Sequence, residues 1–393
     1  MNEINAGSAS HPLTPNQEQR LNEFFQFLQG EADHFLGYPC TRNFDYTPLY
    51  RFLSLPMNNV GDPFIESRYH INSHEYEREV IAYFAELTHA RPDEIWGYVT
   101  NGGTEGNMYG IYIARETFPD GLVYYSETTH YSVPKILRML HARNIMIKSQ
   151  KNGEIDYQDL AETIRIHRDV PPIIFANIGT TMTGAVDNIN KIKQIMRDNA
   201  IHRFYIHCDA ALGGMILPFV KHPQPFDFNA GVDSISISGH KMVGSPIPCG
   251  IALARKANVD RIARAVEYVG TLDTTVTGSR NAITPLFLWY AIQTKGTAGF
   301  CEIIQHCQDM AEYAIKRLHK IKIPAWRNLN SITVVFPKCS QEILDKWQLA
   351  SQHDIAHIIT MPHVDERHID SLIADIVASE KQHGKHAIKR GGL

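Results

Sequence analysis

No run of about 18 consecutive apolar residues occurs in the sequence, so no segment is expected to span a membrane as a helix. The opening stretch Met1–Ser10 is polar and lacks the charged-then-apolar layout of an export signal. The six cysteines (Cys40, Cys208, Cys249, Cys301, Cys307, Cys339) include no CxxC pair. That spacing argues against a disulfide framework and a zinc site, so no metal is expected. An excess of one charge is also missing. Lys and Arg number 38 against 42 Asp and Glu, and a net charge of −4 gives no electrostatic reason to expect nucleic acid or an acidic membrane as partner. The short basic cluster at Lys385–Arg390 reads as a solvated tail. Internal repeats and low-complexity stretches are absent as well. What remains is 393 residues of ordinary globular composition, 44% hydrophobic and 20% charged. Such a chain suits a large domain with attached end pieces in a reducing, cytoplasmic setting.

The first strong element is a helix opening at Thr14. Thr14 can be its N-cap, Pro15 its first residue, and Gln17 completes a T-x-x-Q capping box. Leu21, Phe24, Phe25 and Leu28 follow at helical spacing, a stripe that has to be buried against the rest of the chain or a second subunit. Further on, β-rich runs occur at Trp96–Thr100, Leu122–Ser126, Ile145–Lys148, Ile173–Asn177, Phe204–Cys208, Asp233–Ile237 and Gly250–Ala254. Helical segments such as Val133–His141, Tyr157–His167 and Ile189–Asp198 lie between them. This alternation predicts an α/β fold with a mostly parallel sheet covered on both faces, and ligands outside the carboxyl ends of its strands. A helix near Phe300–Leu318, a strand Ser331–Phe336 and a closing helix near Asp365–Ser379 suggest a smaller α/β piece. The expected division is an N-terminal helical segment 1–58, a large domain 59–290 and a small C-terminal domain 291–393.

Several polar groups fall just after these strands. Ser238-Gly239-His240-Lys241 follows one, and Asp209-Ala210-Ala211 closes its predecessor. Alone, Lys241 would read as a surface lysine and Asp209 as a helix cap. Together on neighbouring strand ends they offer what a pyridoxal site needs, a lysine to carry the cofactor and a carboxylate to pair with its protonated ring nitrogen. The ring accepts the electron pair left at Cα by departing carbon dioxide only while that nitrogen keeps its proton. Small Ala211 would let the ring lie flat. Thr100–Asn107 (TNGGTEGN) follows a strand and opens a helix, a glycine-rich N-terminus suited to a phosphate. His130 is a candidate to stack on the ring and touch substrate. Thr180 and Thr181 offer two hydroxyls, either to cap the next segment or to hydrogen-bond the ring oxygen and the substrate carboxylate.

In this order, the motifs TNGGTEGN, Thr129–Ser132 (THYS), Asn177–Thr181 (NIGTT), Asp209–Ala211 (DAA) and Ser238–Met242 (SGHKM) resemble the group II pyridoxal-phosphate-dependent amino-acid decarboxylases. The likeness extends through Asn59–Phe64 (NVGDPF), Gly244–Gly250 (GSPIPCG), Gly278–Asn281 (GSRN) and Ala325–Phe336 (AWRNLNSITVVF), and is greatest to the short bacterial histidine decarboxylases. A plant serine decarboxylase branch is also similar. The resemblance implies the fold type I of pyridoxal-phosphate enzymes, with a seven-stranded, mainly parallel sheet and a small C-terminal α/β domain, assembled as a homodimer or larger homo-oligomer. By the same resemblance Lys241 would carry pyridoxal 5'-phosphate and Asp209 would pair with its ring nitrogen. His130 would stack on the ring and contact the amino-acid substrate, with Ala211 on the opposite face. Gly103, Thr104, Ser238 and His240 would bind the phosphate side, and Thr181 would lie near the ring hydroxyl or substrate carboxylate. Ser279 would reach a neighbouring subunit's cofactor phosphate. Cys208 and Ala282 stand where the family pattern leads one to expect alanine and glycine, and neither removes a chemical group. Tyr268 is the nearest counterpart of the animal enzymes' loop tyrosine.

Two rivals remain on the sequence: another lyase reaction on the same cofactor, and a silent pyridoxal-binding scaffold. No cysteine sits in an obvious mobile loop, which disfavours a desulfurase, and a scaffold would need neither Lys241 nor Asp209. Histidine and serine stay open as substrates on residue logic. Asn59, Asp62, Tyr69 and Asn72 are possible partners for an imidazole, or residues that only shape a loop.

Overall fold

A computed structural model of the chain describes residues 12–266 and 271–390. Helix α1 (Pro15–Ala32) starts as the capping box requires. Gln17 Oε1 accepts from the Thr14 backbone N–H at 2.8 Å, and Thr14 Oγ1 accepts from the Gln17 N–H at 3.4 Å. The helix buries none of its residues: Leu21, Phe24, Phe25 and Leu28 are 57%, 58%, 61% and 45% exposed. Of the two ways expected for covering this stripe, packing against the rest of the chain does not occur. Helix α2 (His74–Leu87) then leads into the sheet.

Seven strands form that sheet: β1 (Ile95–Thr100), β2 (Leu122–Ser126), β3 (Asn144–Ile147), β4 (Pro172–Asn177), β5 (Tyr205–Asp209), β6 (Ser234–Ser238) and β7 (Gly250–Arg255). Their order is β1-β7-β6-β5-β4-β2-β3. All neighbours run parallel except β7, which is antiparallel to both β1 and β6. Burial explains the composition. Apart from β3, the strands are covered on both faces, so β1, β2, β4 and β7 read as nearly continuous apolar runs, while β5 (YIHCD) and β6 (SISIS) bury polar residues among the apolar ones. Alternate residues feed two separate cores. Tyr98, Val123, Phe175 and Tyr205 enter one core with α3 (Gly103–Thr117) and α4 (Ser132–Met139), while Val99, Tyr124, Ile174 and Ile206 enter the other. Helices α5 (Tyr157–Ile166) and α6 (Ile189–Asp198) cover that second face.

Helix α3 carries glycine at two interior positions, each costing about 1 kcal/mol against alanine. Close approach to the sheet requires both. A Cβ on Gly106 would lie 2.3 Å from Ser236 Oγ, and one on Gly110 would lie 2.1 Å from His207 Nδ1.

Helix α7 (Ile283–Lys320), bent at Gly296, leads to the small sheet of β8 (Thr333–Pro337), β9 (Ser351–Gln352) and β10 (Ile355–Ile359). Its order is β8-β10-β9, all antiparallel. Helices α8 (Gln341–Lys346) and α9 (Glu366–Arg390) complete the described chain. Among the described residues no helix is long and apolar enough to cross a membrane.

A buried ion pair ties the segment before the sheet to the segment after it. Arg280 (3% exposed) pairs with Glu77 (0%) and donates to the Gly61 carbonyl at 2.9 Å. Glu77 also accepts from the Val99 N–H at 2.8 Å and from Asn59 Nδ2 at 2.7 Å. Removing one partner strands the other charge, so Glu77→Ala should cost roughly 3–5 kcal/mol of unfolding free energy. Denaturant titration of the two proteins measures it, and a loss below about 1 kcal/mol, typical of exposed pairs, would contradict the assignment.

Candidate active site

Parallel strands β4, β5 and β6 end side by side, and their last residues and following loops face one cavity of about 430 Å³, a volume typical of small-molecule sites. Asp209 is the last residue of β5 and is 8% exposed. Its Oδ2 accepts from Asn107 Nδ2 at 2.8 Å and its Oδ1 from the Ala211 N–H at 3.1 Å. Lys241 follows β6 on a wide helical turn, Gly239–Val243, that ends at Gly244 in the left-handed region (φ 93°). Burial pushes the Lys241 amine below the usual lysine value, while Asp209 and Cys40 nearby pull it back up.

On the β2 side, His130 lies in the loop before α4, its Nδ1 2.8 Å from Ser132 Oγ. The Ser132 N–H also points at Nδ1 (3.3 Å), so in the neutral ring the proton belongs on Nε2. Burial holds the His130 pKa below its usual value; the Asp209 charge opposes this and the Lys241 charge adds to it. His130 is therefore neutral near pH 7. The wall next to it is fixed by Asp187, fully buried, which accepts from the Asn177 N–H at 2.7 Å and from Asn177 Nδ2 at 3.1 Å. Burial, opposed by these hydrogen bonds, raises Asp187 to about 6.

Of the residues expected at the site, Gly103, Thr104, His130, Thr181, Asp209, Ala211, Ser238, His240 and Lys241 all line this cavity. Ser279 does not. It lies exposed on the strand Ser279–Asn281, paired with Asn58–Val60, and accepts from Asn58 Nδ2 at 3.1 Å. Tyr268 lies outside the described residues. Asn59, Asp62, Tyr69 and Asn72 are absent from the cavity lining. Asn59 and Asp62 are buried in local bonds to Glu77, Trp96 and Thr274, and Tyr69 and Asn72 bond their own loop. In the chain's own cavity none of the four takes part. Conversely, Gly37–Pro39 from the N-terminal segment and Thr333, Ala350, His357 and Ile359 from the small sheet region line the cavity without having been anticipated. Thr333 falls within the motif Ala325–Phe336, which had no site role, and the others lie outside every quoted motif, so the fold alone brings them in. Asn107 was legible as the last letter of TNGGTEGN but had no role assigned.

The residues present fit pyridoxal 5'-phosphate. The cavity holds one desolvated amine and, facing it, a carboxylate whose oxygens are already fixed by neutral donors. The α3 N-terminus opens at Gly102 (φ 149°) and Gly103, where a Cβ would lie 2.7 Å from Ser238 Oγ. Only a glycine backbone allows this approach, and the free N–H groups of the first turn suit a phosphate. Among the described residues, no group of three or more His, Cys, Asp or Glu could hold a metal ion.

Comparison with known proteins agrees with this geometry. Residues 107–336 match the conserved domain of pyridoxal-dependent decarboxylases. The chain is 51% identical to a histidine decarboxylase of Acinetobacter baumannii, over 93% of this chain and 96% of that one. It is 49% identical to a histidine decarboxylase of Morganella morganii, over 94% and 99%. Among solved structures, L-methionine decarboxylase from Streptomyces sp. 590, complexed with L-methionine methyl ester, superposes with a TM-score of 0.85 at 27% identity, covering 95% of this chain and 98% of the other. A Lactobacillus brevis glutamate decarboxylase shares the fold at a TM-score of 0.79 and 18% identity. With the family match spanning more than half of the chain and relatives aligned over nine-tenths of it, this chain belongs to the pyridoxal-dependent decarboxylases.

Proposed function

We propose that the chain decarboxylates L-histidine to histamine and carbon dioxide on pyridoxal 5'-phosphate. The observation that carries the substrate is the near-complete alignment with histidine decarboxylases at about half identity. Held by the protein, the cofactor supplies an electron sink for the pair left at Cα. Lys241 is proposed as the residue that binds it covalently, and its lowered pKa leaves more of the amine unprotonated and nucleophilic than in an ordinary lysine. Asp209 is proposed to hold the ring-nitrogen proton by charge. Neutral His130, with its proton on Nε2, would press on one ring face and meet the substrate, with Ala211 on the other. Gly103, Thr104, Ser238 and His240 would receive the phosphate, and Thr181 the ring hydroxyl or the substrate carboxylate.

A homodimer is proposed on the exposed stripe of α1. Leu21, Phe24, Phe25 and Leu28 form an apolar face that a second copy would cover. Ser279, outside its own cavity and exposed, would then serve the partner's cofactor phosphate. The division at 58/59 and 290/291 is offered on the same terms; α7 crosses the second boundary and bends nearby at Gly296. The six unpaired cysteines suit a reducing cytoplasm.

Lys241→Ala should abolish the visible absorbance of lysine-bound cofactor and nearly all turnover. In the wild type, cofactor capture by the cofactor-free protein should reach its plateau at lower pH than capture by a free lysine amine, and fall as pH drops through the depressed value. Borohydride reduction and peptide mapping identify the labelled residue; a label elsewhere overturns the assignment. Phe24→Glu combined with Phe25→Glu should yield a monomer in analytical ultracentrifugation, whereas an unchanged dimer would place the interface off α1. For the substrate, kcat/KM should favour histidine over serine and methionine by well over ~100-fold, since a pocket built to hydrogen-bond imidazole leaves its own polar groups unpaired with the others. Equal or better use of serine would remove histidine as the substrate and leave the decarboxylase standing.

A further inference from the structure

We propose that Asn107 and His207 are positioning residues, aiming the Asp209 carboxylate through a one-way chain of hydrogen bonds that starts at Ser234. His207 Nδ1 lies 2.7 Å from Ser234 Oγ, its Nε2 lies 3.0 Å from Asn107 Oδ1, and Asn107 Nδ2 donates to Asp209 Oδ2 at 2.8 Å. Ser234, His207 and Asn107 are all buried, at 1%, 0% and 3% exposure, so each polar atom depends on its neighbour in the chain.

The direction follows from the donor inventory. An ionised carboxylate only accepts, so Asn107 must turn its NH2 toward Asp209 and its Oδ1 toward His207. His207 must then place its proton on Nε2, which leaves Nδ1 bare to accept the Ser234 hydroxyl proton. Burial pushes the His207 pKa down to about 3, so the ring is neutral and has one N–H to give. Protonating Asp209 would favour the opposite sense: amide flipped, imidazole tautomer exchanged, hydroxyl turned. Each donor in this order therefore points at the carboxylate, and the units polarise one another in the same sense.

Two further features show that the ring is accommodated for its own sake. The middle of α3 gives up a side chain to make room, since a Cβ on Gly110 would stand 2.1 Å from His207 Nδ1 and 2.4 Å from its Cε1. Phe175 flanks the ring on the same sheet face, with centroids 5.1 Å apart, so an apolar side chain at 207 would have fitted the surroundings without any chain of donors.

This inference rests on the reading of Asp209 as partner of the cofactor's ring nitrogen, and the test separates the two. Holoenzyme is loaded with pyridoxal 5'-phosphate carrying the heavy isotope of nitrogen in its ring, and the nitrogen resonance reports protonation there. The wild type is compared with Asp209→Asn, Asn107→Ser, His207→Leu and His207→Gln at full cofactor occupancy. Asn107→Ser and His207→Leu should move the resonance toward that of unprotonated pyridine and lower kcat about tenfold or more, the scale of one hydrogen bond to a charged group. KM for the amino acid should stay within about twofold, because substrate binding is not what is lost. His207→Gln, whose amide N–H can still donate to Asn107 Oδ1, should restore the resonance and most of kcat. If His207→Leu does not fold, Asn107→Ser and Ser234→Ala carry the same expectation. A resonance that Asp209→Asn moves but Asn107→Ser and the residue-207 or residue-234 variant leave in place overturns the positioning role. A resonance unmoved by Asp209→Asn overturns the reading of Asp209 itself.

Discussion

Parallel pairing of β5 with β6 sets Asp209 opposite Ser236, and the register leaves β6 to run on to Ser238 before the chain turns into Lys241. The amine and the carboxylate of the site thus come from neighbouring strands whose offset is fixed by backbone hydrogen bonds. A slip by one residue would turn Asp209 to the other sheet face and its neighbours into the wrong core. Both faces of this sheet are filled, by separate clusters of apolar side chains, so the register is specified from two sides at once. The rest of the site is arranged around that pair: α3 leans on the same strands at its glycines, and β4 lies beside β5 with Asn177 level with Asp209.

Burial tunes this site in two opposite ways. It discourages charge on Lys241 and His130, which favours a free amine and a neutral imidazole, the forms that can attack a carbonyl carbon and stack on an aromatic ring. Asp209 is nearly as buried, yet its two oxygens accept from a side-chain amide and a backbone N–H. Those donors satisfy the two oxygens that burial withdraws from water. The contrast lies in the partners: Asn107 and, behind it, His207 present oriented dipoles to the acid, and among the described residues no hydrogen bond holds the Lys241 amine.

The cavity is also a meeting point of three stretches of chain. The sheet supplies the ionisable groups, Gly37–Pro39 supplies one wall, and Thr333, Ala350, His357 and Ile359 supply another. His357 ties these together: its Nδ1 lies 3.1 Å from the Met182 carbonyl and its Nε2 3.0 Å from that of Gly37. The N-terminal segment is held in turn by the Ile359 N–H, which donates to Leu36 O at 2.8 Å. Pocket shape therefore depends on how the small sheet sits against the large one, while the polar groups of the sheet are independent of it.

Much of this was legible from the residues alone. The β-rich runs anticipated all seven strands within a residue or so at each end, because these strands are short, rich in isoleucine, valine and tyrosine, and set off from helical segments by polar or glycine residues. The α1 capping box is a contact across three residues and needs nothing beyond the local chain. TNGGTEGN, DAA and SGHKM placed the glycine-rich loop, the acid and the lysine on strand ends, which strands of one direction gather on one side. What the sequence could not determine was anything that depends on pairs far apart in the chain. His207 looks like any strand histidine until Asn107 and Gly110 of α3 are laid against it. Asn59 and Asp62 read as pocket candidates until Glu77, Trp96 and Thr274 are seen to use them up. The walls from residues 37–39, 350, 357 and 359 fall in no quoted motif, and the motif that holds Thr333 gives no sign that it faces the cavity. Strand and cap signals come from neighbours in the chain, where backbone geometry fixes spacing. Side-chain partners across layers are set by packing, and only the tertiary structure decides which buried polar groups meet.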